Sequence, residues 1–229
     1  MFQSWRDLLF LHFSLPPDEI QALLPPGLMV DTFPNSRGVE AAWVGLVPFR
    51  MEGIRPSRVP AAPWISAFPE TNLRTYVHRE GKRPGVWFFS LDAARWLACR
   101  YARRKFHLPY FHASMSAKRD GNHIIYQSER REAPAAALKI EAEIGDSIPA
   151  PQPGSLEFFL VERYLLYAER DARLYSGQVH HPPYPLSRAK VLSSNQTLIG
   201  AAGIRESAWE HVCFSDGVDV EVFHLQSDK

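Results

Sequence analysis

The sequence predicts an α+β domain in which many strands form a mostly antiparallel barrel or sandwich, with two or three short helices at its edge. Short β-rich runs recur along the chain, separated by turn residues that include 19 Pro and 13 Gly. Three segments carry the apolar spacing or the end signals of a helix. Because 229 residues can share one hydrophobic core, we expect residues 1–229 to form a single domain.

The first quarter of the chain combines strands with one short helix. Asp18 can cap this helix at 19–24, with Gln21 as the partner three residues further on. A Pro- and Arg-rich segment at 53–64 cannot lie inside a sheet and is a candidate rim or lid. The strands predicted here are 5–15, 28–33 and 39–51.

The next segment contains two strands, at 68–79 and 85–91, and the longest helix. The second strand is apolar on both faces, which predicts a central strand that is buried on both sides. Ser90 or Asp92 can cap a helix at 92–104. Its helical wheel predicts an apolar arc that packs on the sheet, formed by Ala93, Ala94, Leu97, Ala98 and Tyr101.

The second half of the chain is again mostly strands. A Pro-rich break at 148–155 leads into a short helix at 155–164. The strands predicted on either side are 110–118, 123–130, 138–143, 165–179, 185–193, 208–214 and 218–225.

Charge and composition argue against several classes of protein. Lys plus Arg is 26 and Asp plus Glu is 25, so there is no broad positive field for a nucleic acid backbone. No window reaches the roughly 18 consecutive apolar residues of a membrane span, and the N-terminus lacks the pattern of a secretory leader. Cys99 and Cys213 lack CxxC spacing. We therefore expect a cytoplasmic protein with reduced thiols and neither nucleic acid nor membrane as a partner; a homo-oligomer is compatible with the sequence.

Two predicted strands carry a polar row, because alternate side chains of a strand share a face. One row contains Glu70, Asn72, Arg74 and Tyr76, and the other contains Tyr110, His112, Ser114 and Ser116. Either the rows face solvent on an antiparallel sheet, or they form a polar wall inside a barrel. In the second interpretation Arg74 could bind a carboxylate and Glu70 could transfer a proton.

The remaining motifs favour neither a metal nor a phosphate-bearing cofactor. His180 and His181 are adjacent and therefore face opposite ways in a strand, and HExxH and zinc-spaced Cys/His sets are missing from the sequence. The glycine-rich phosphate loops and the GxSxG nucleophile turn are missing as well. We expect neither a metal site nor a cofactor.

Eight segments in order resemble the YqjF-like family of uncharacterised proteins: WRDLLFLHF, LLPPGLMVD, AWVGLVPF, FPETNLRTYV, GVWFFSLDA, ARRKFHLPY, LVERYLLY and VHHPPYPL. The resemblance covers nearly the whole chain. That family looks related to the acetoacetate decarboxylase-like fold, a strand-rich, cone-shaped barrel that encloses a pocket. The resemblance therefore implies a mostly antiparallel barrel or cone with an internal pocket.

The same resemblance implies that the decarboxylase nucleophile is missing. In those enzymes a segment similar to ARRKFHLPYF has an Arg, a Pro and then two lysines, the first of which forms a Schiff base. Aligning Arg103 with that Arg and Pro109 with that Pro puts Tyr110 and Phe111 in the lysine positions, and neither can form an imine. Glu70 resembles the active-site glutamate of the decarboxylases.

The function predicted from these observations is binding of a small carbonyl or carboxylate compound, with Glu70 and Tyr110 as candidates for acid–base chemistry. Arg163 and His181 are expected to support the pocket from the C-terminal half, unless Arg163 only forms a surface ion pair. The alternatives are a non-enzymatic ligand-binding or sensing module, or an interaction domain that uses 53–64 and its Trp64. The predicted ligand-binding residues are Glu70, Asn72, Arg74, Tyr76, Arg103, Tyr110, His112, Arg163 and His181.

Overall fold

The protein is described by a computed structural model that covers residues 1–55 and 67–227. Within these ranges fourteen strands form one sheet, and four helices accompany it. The strands are β1 (Phe2–Leu15), β2 (Met29–Val30), β3 (Thr32–Pro34), β4 (Glu40–Arg55), β5 (Phe68–Arg79), β6 (Lys82–Ala93), β7 (Tyr110–Asp120), β8 (His123–Arg130), β9 (Ala137–Ser147), β10 (Leu165–Arg170), β11 (Arg173–His180), β12 (Leu186–Gln196), β13 (His211–Val222) and β14 (Gln226–Ser227). The helices are α1 (Pro17–Gln21), α2 (Trp96–Lys105), α3 (Leu156–Val161) and α4 (Leu198–Ala201).

The sheet closes on itself twice. The two closed rings share a wall of five neighbouring strands, in the order β13, β1, β4, β5 and β6. The smaller ring is completed by β10 and β11, and the larger ring by β7, β8, β9 and β12. The predicted strand-rich, mostly antiparallel barrel-like fold is therefore confirmed, although the sheet curls into joined rings rather than one simple barrel.

The shared wall explains why several strands are apolar on both faces. Leu8 and Phe10 of β1 pack in the core of the smaller ring, whereas Leu9 and Leu11 pack in that of the larger ring. One face of the wall points into each ring, since successive residues of a strand point to opposite sides. The wall strands are therefore buried on both faces.

Strand β6 pairs with two different strands along one edge, and we call this place the fork. Its first half pairs in parallel with β10 at Val86 and Trp87, and its end pairs in parallel with β7 from Leu91 onwards. The two rings separate between these pairings. Helix α2 and the segment that follows it connect β6 to the start of β7 beside this fork.

Helix α2 differs from its prediction. Strand β6 continues to Ala93, so Asp92 lies in a strand rather than at a helix cap, and the helix begins only at Trp96. Its buried residues are Cys99 and Ala102, small side chains that allow close contact with the sheet. The predicted packing of Leu97 and Tyr101 was wrong, because these side chains remain 57% and 53% exposed.

Two further strand predictions differ from the structure. The segment 165–179 is a hairpin of two strands, because Asp171 and Ala172 adopt positive φ angles of 54° and 56° that suit a tight turn. The segments 208–214 and 218–225 instead belong largely to one strand, β13, which passes through Gly217 without a break.

The predicted loop at 53–64 overlaps the end of β4, which extends to Arg55. The rest of that segment, including Trp64, lies outside the described residues, so its role as a rim, lid or contact stays a prediction. In the described part of the chain, none of the helices has the length and apolar character needed to cross a membrane.

Candidate functional site

The smaller ring encloses a cavity of about 480 Å³. Most of its lining is apolar and comes from the wall strands, from β10 and β11, and from helix α2. The polar and ionisable residues of the lining include six of the nine predicted ligand-binding residues: Glu70, Asn72, Arg74, Tyr110, Arg163 and His181.

The polar row of β5 forms one side of this cavity. Glu70, Asn72 and Arg74 alternate along the strand and are only 3%, 7% and 8% exposed. For this row the solvent-facing interpretation was therefore wrong. The reason is topological, since β5 is part of the shared wall and both of its faces are covered.

Glu70 and Tyr110 meet beside the fork. The Tyr110 hydroxyl donates to the Glu70 carboxyl group, 3.2 Å from Oε2 and 3.3 Å from Oε1. Burial raises the pKa of Glu70 to about 8; the Tyr110 hydrogen bond opposes this shift and the nearby charge of Asp92 adds to it. Burial and the adjacent Glu70 raise the pKa of Tyr110 well above its usual range. These shifts favour an uncharged carboxylic acid next to an uncharged phenol at neutral pH.

Arg74 lies at the other end of the polar row. Its Nη2 donates to the Leu160 carbonyl over 3.2 Å, and its guanidinium lies 5.7 Å from the ring centres of Phe10 and Tyr76. Its buried Nε has no hydrogen-bond partner, and among the described residues no carboxylate forms an ion pair with it. The buried Oδ1 of Asn72, two residues before it, also lacks a partner.

Arg163 faces the cavity from the segment after α3. Its Nη1 lies 2.7 Å from Asp31 Oδ2, its Nε donates to the Phe159 carbonyl, and its side chain is 7% exposed. This is a largely buried ion pair, so the surface-pair alternative was wrong for Arg163. Its charge is neutralised within the protein, unlike that of Arg74.

His181 is held between two tyrosine rings, with ring centres 4.7 Å from Tyr164 and 4.6 Å from Tyr184. Its Nδ1 lies 2.9 Å from the Pro182 carbonyl oxygen, which can only accept, so Nδ1 carries the proton in the neutral ring. Burial lowers the pKa of His181, which favours this neutral form.

The other three predicted residues do not line the cavity. Tyr76 continues the β5 row beyond Arg74, but it is fully buried behind it, where its hydroxyl donates to the Leu160 carbonyl over 2.8 Å. His112 follows Tyr110 on β7, a strand that belongs only to the larger ring, so the row leaves the cavity after its first residue.

Arg103 lies on the outer side of α2, in an open surface groove next to the fork. Its Nε donates to the Tyr110 carbonyl over 2.7 Å, and its guanidinium pairs with Glu132. Arg103 therefore holds the start of β7, and with it the Tyr110 backbone, but it does not reach the cavity.

The sequence interpretation missed the start of β1 and the cavity side of α2. Gln3 and Trp5 line the cavity and are linked by a 2.9 Å bond from Trp5 Nε1 to Gln3 Oε1. Leu97 and Tyr101 line it from the helix. For β1, the alternation of side chains from Met1 onwards was a signal that could have placed these residues at the cavity. For α2 there was no such signal, because a helical wheel does not distinguish a side chain that packs on the sheet from one at the mouth of a cavity.

The sequence profile of the DUF2071 family, described as an uncharacterized conserved protein, matches residues 2–219. The chain belongs to this family. The chain is also similar to the uncharacterized protein YqjF of Bacillus subtilis strain 168: the two are 39% identical over 204 residues, which cover 89% of this chain and 82% of that protein. The predicted resemblance to the YqjF-like family is confirmed.

Solved structures share the fold of this DUF2071 protein at low sequence identity. The enduracididine biosynthesis enzyme MppR, complexed with pyruvate, has a TM-score of 0.68 at 13% identity and covers 99% of this chain and 89% of its own. The acetoacetate decarboxylase of Legionella pneumophila has a TM-score of 0.67 at 12% identity, over 100% and 87% of the two chains. An acetoacetate decarboxylase-like enzyme of Sphingomonas wittichii RW1 has a TM-score of 0.65 at 12% identity, over 100% and 92%. These likenesses establish an acetoacetate decarboxylase-like fold.

The lysines among the described residues do not line the cavity. The chain has six lysines, and the five within the described residues are all exposed: Lys82, Lys105, Lys118, Lys139 and Lys190. Lys229 falls outside the described part. None of those five lines the cavity, where the ionisable side chains are Glu70, Arg74, Tyr101, Tyr110, Arg163, His181 and Tyr184.

Proposed function

We propose that the protein binds a small carbonyl or carboxylate compound in the cavity of the smaller ring. In this proposal the carboxylate pairs with Arg74 and accepts from the Asn72 amide, while an oxygen further along the ligand reaches Glu70 and Tyr110. The observation that carries the proposal is Arg74, a guanidinium that is only 8% exposed, faces the cavity and has no carboxylate partner among the described residues.

The energetics of burial support an anionic ligand. A buried charge without a partner costs several kcal/mol, and pairing with good geometry recovers much of this cost. Arginine also offers planar, paired donors that match a carboxylate. The unpaired charge of Arg74 in the free protein therefore supports the proposal of an anionic ligand.

The dimensions and lining support a compound with an apolar body. Small-molecule sites enclose roughly 300–1,000 Å³ and combine apolar walls with a few polar groups, and the cavity of about 480 Å³ falls in this range. Glu70 and Arg74 are four residues apart on one strand, which is about 13 Å at 3.3 Å per residue. A compact acid would reach only one end of the row, and a longer keto acid would reach both.

The comparisons support the ligand class without naming the ligand. MppR shares the fold and is described in complex with pyruvate, a small keto acid. Because the described lysines of this protein are exposed, we propose that binding involves no Schiff base with a lysine side chain. The same site would serve a ligand-binding or sensing protein that catalyses nothing, and the proposal requires no metal or cofactor.

A thermal-shift titration tests the proposal, because a ligand that binds only the native state raises its melting temperature. The probes are pyruvate, acetoacetate and phenylpyruvate, with phenylacetate as an acid without a ketone and acetophenone as a ketone without an acid. We expect the acids to raise the melting temperature of the wild type and to have little effect on Arg74→Gln. Arg104→Gln, an exposed site on α2 outside the cavity, is the matched control. Acids that stabilise Arg74→Gln as much as the wild type would contradict the proposal.

A further inference from the structure

We propose that Glu70 and Tyr110 act together as two hydrogen-bond donors for a single negatively polarised ligand oxygen, such as the carbonyl oxygen of a ketone that can enolise. This inference rests on the proposed function, since it assigns chemistry to the second end of the same polar row. It identifies the ligand as a carbonyl compound and the site as one that favours its enolate form.

The hydrogen bond between Tyr110 and Glu70 is longer than usual. The Tyr110 hydroxyl is nearly equidistant from the two Glu70 carboxyl oxygens, at 3.2 Å and 3.3 Å. Bonds between oxygen atoms are normally about 2.7–2.8 Å long, so this contact is loose. Both residues line the cavity, and a ligand oxygen placed between them could accept a short bond from each.

The surroundings of Glu70 keep the pair uncharged. The titratable groups that influence Glu70 are Tyr110 from β7 and Cys99 from α2, which lie beside it, and Asp92 from β6, which lies on the other face of the wall in an ion pair with Arg130. All three are neutral or negative, and in the described part of the chain no cation forms an ion pair with Glu70. A carboxyl group in such surroundings retains its proton and can donate it in a hydrogen bond.

A neutral carboxylic acid beside a phenol is an effective site for an oxyanion. Ketosteroid isomerase, in which a tyrosine and a protonated aspartic acid stabilise an enolate, is the general precedent for this chemistry. Donors fixed in a dry cavity stabilise the charge that develops on oxygen more than the neutral ketone, because they need no reorganisation. The pair in this protein has the same two functional groups in an apolar cavity.

The direct test uses phenolates, whose negative oxygen on a flat ring imitates an enolate. Equilibrium dialysis measures the affinity for 4-nitrophenolate and for 4-nitroanisole, which has the same ring but no anionic oxygen. We expect the wild type to bind the phenolate at least about tenfold more tightly, because a hydrogen bond to a charged group contributes about that much. We expect Tyr110→Phe to lose about tenfold of the phenolate affinity, while Tyr175→Phe, which removes a hydroxyl outside the cavity, retains it.

The pH profile gives a second readout that a merely structural hydrogen bond would not change. Phenolate affinity of the wild type should fall as the pH rises through about 8, where Glu70 ionises and stops donating. Glu70→Gln keeps a neutral donor at every pH, so its affinity should stay flat over the same range. Equal binding of phenolate and anisole by the wild type, or a pH profile that Glu70→Gln leaves unchanged, would overturn the inference.

The two proposals can fail separately. Binding of phenylpyruvate that depends on Arg74, combined with no preference for the phenolate, would leave the proposed function standing and remove the oxyanion site. A phenolate preference that depends on Tyr110, combined with no effect of Arg74→Gln on any acid, would support the oxyanion site and refute the Arg74 contact.

Discussion

Arg130 and Asp92 form an ion pair that is closed off from solvent, with Nη2 2.8 Å from Oδ1 and side-chain exposures of 2% and 0%. The Arg130 Nε bonds both carboxyl oxygens, at 2.9 Å and 3.0 Å, and the guanidinium lies 4.0 Å from the Phe111 ring centre. The pair connects the end of β6 to the end of β8 inside the larger ring. It lies directly behind the wall that carries Glu70, because Asp92 pairs with Thr71, the next residue along β5.

Breaking this pair on one side should be costly. Arg130→Met would leave Asp92 buried without its partner, and we expect a loss of about 3–5 kcal/mol in the free energy of unfolding, measured by urea denaturation. Arg170→Met, which removes the partner of the exposed Asp171, should cost less than about 1 kcal/mol. The double variant Asp92→Leu/Arg130→Met should recover much of the loss, and a double variant as unstable as Arg130→Met would contradict this account.

The raised pKa of Glu70 makes stability depend on pH in a definite direction. The unfolded chain loses this proton near the ordinary value of 4.5, whereas the folded protein keeps it until about 8. Between these values the folded state binds more protons, so stability falls as the pH rises and levels off above about 8. We expect Glu70→Gln to gain stability relative to the wild type through this window, by roughly 1.4 kcal/mol per pH unit at most. Parallel stability curves for the two proteins would show that Glu70 ionises normally.

Gly217 is required by a close contact between β13 and β1. Its φ is +137°, and a Cβ at this position would lie 2.1 Å from the Trp5 carbonyl oxygen. Gly217→Ala should therefore destabilise the protein by more than the backbone cost of about 1 kcal/mol alone. Gly81→Ala, with a φ of +71° and nothing within 4 Å, is the control for that backbone cost. Equal melting temperatures for the two variants would mean that β13 and β1 can move apart to accommodate the Cβ at no cost in stability.

We predict that neither the wild type nor Tyr110→Lys decarboxylates acetoacetate. A phenol cannot form the imine that this mechanism needs, and the described lysines are exposed and away from the cavity. A lysine at position 110 would lie against Glu70, and the resulting ion pair would favour the protonated amine, which is not nucleophilic. Borohydride trapping of a ketone adduct together with release of carbon dioxide is the measurement. Both signals from the wild type would disprove the assignment of position 110, and both from the variant alone would show that burial suffices to deprotonate the new lysine.

Local patterns in the sequence were sufficient to predict most of the strands and the polar residues on one side of the cavity. The period-2 alternation at Glu70, Asn72 and Arg74 placed these side chains on one face, because strand geometry fixes that relation whatever the tertiary fold. The same reasoning failed for α2, where the small residues Cys99 and Ala102, rather than Leu97, make the contact with the sheet.

Alternation alone could not decide which face was inside, so the sequence left open whether the polar rows faced solvent or a cavity. The tertiary structure decided this by closing the sheet twice, which buried both faces of β5 but left β7 in the larger ring alone. Tyr110 therefore reaches the cavity at the fork, whereas His112, two residues later, does not. The sequence by itself determined which side chains share a face of a strand, since that depends only on neighbouring residues. Which of these faces are enclosed depends on pairings between strands that are distant in sequence, and these pairings exist only in the folded sheet.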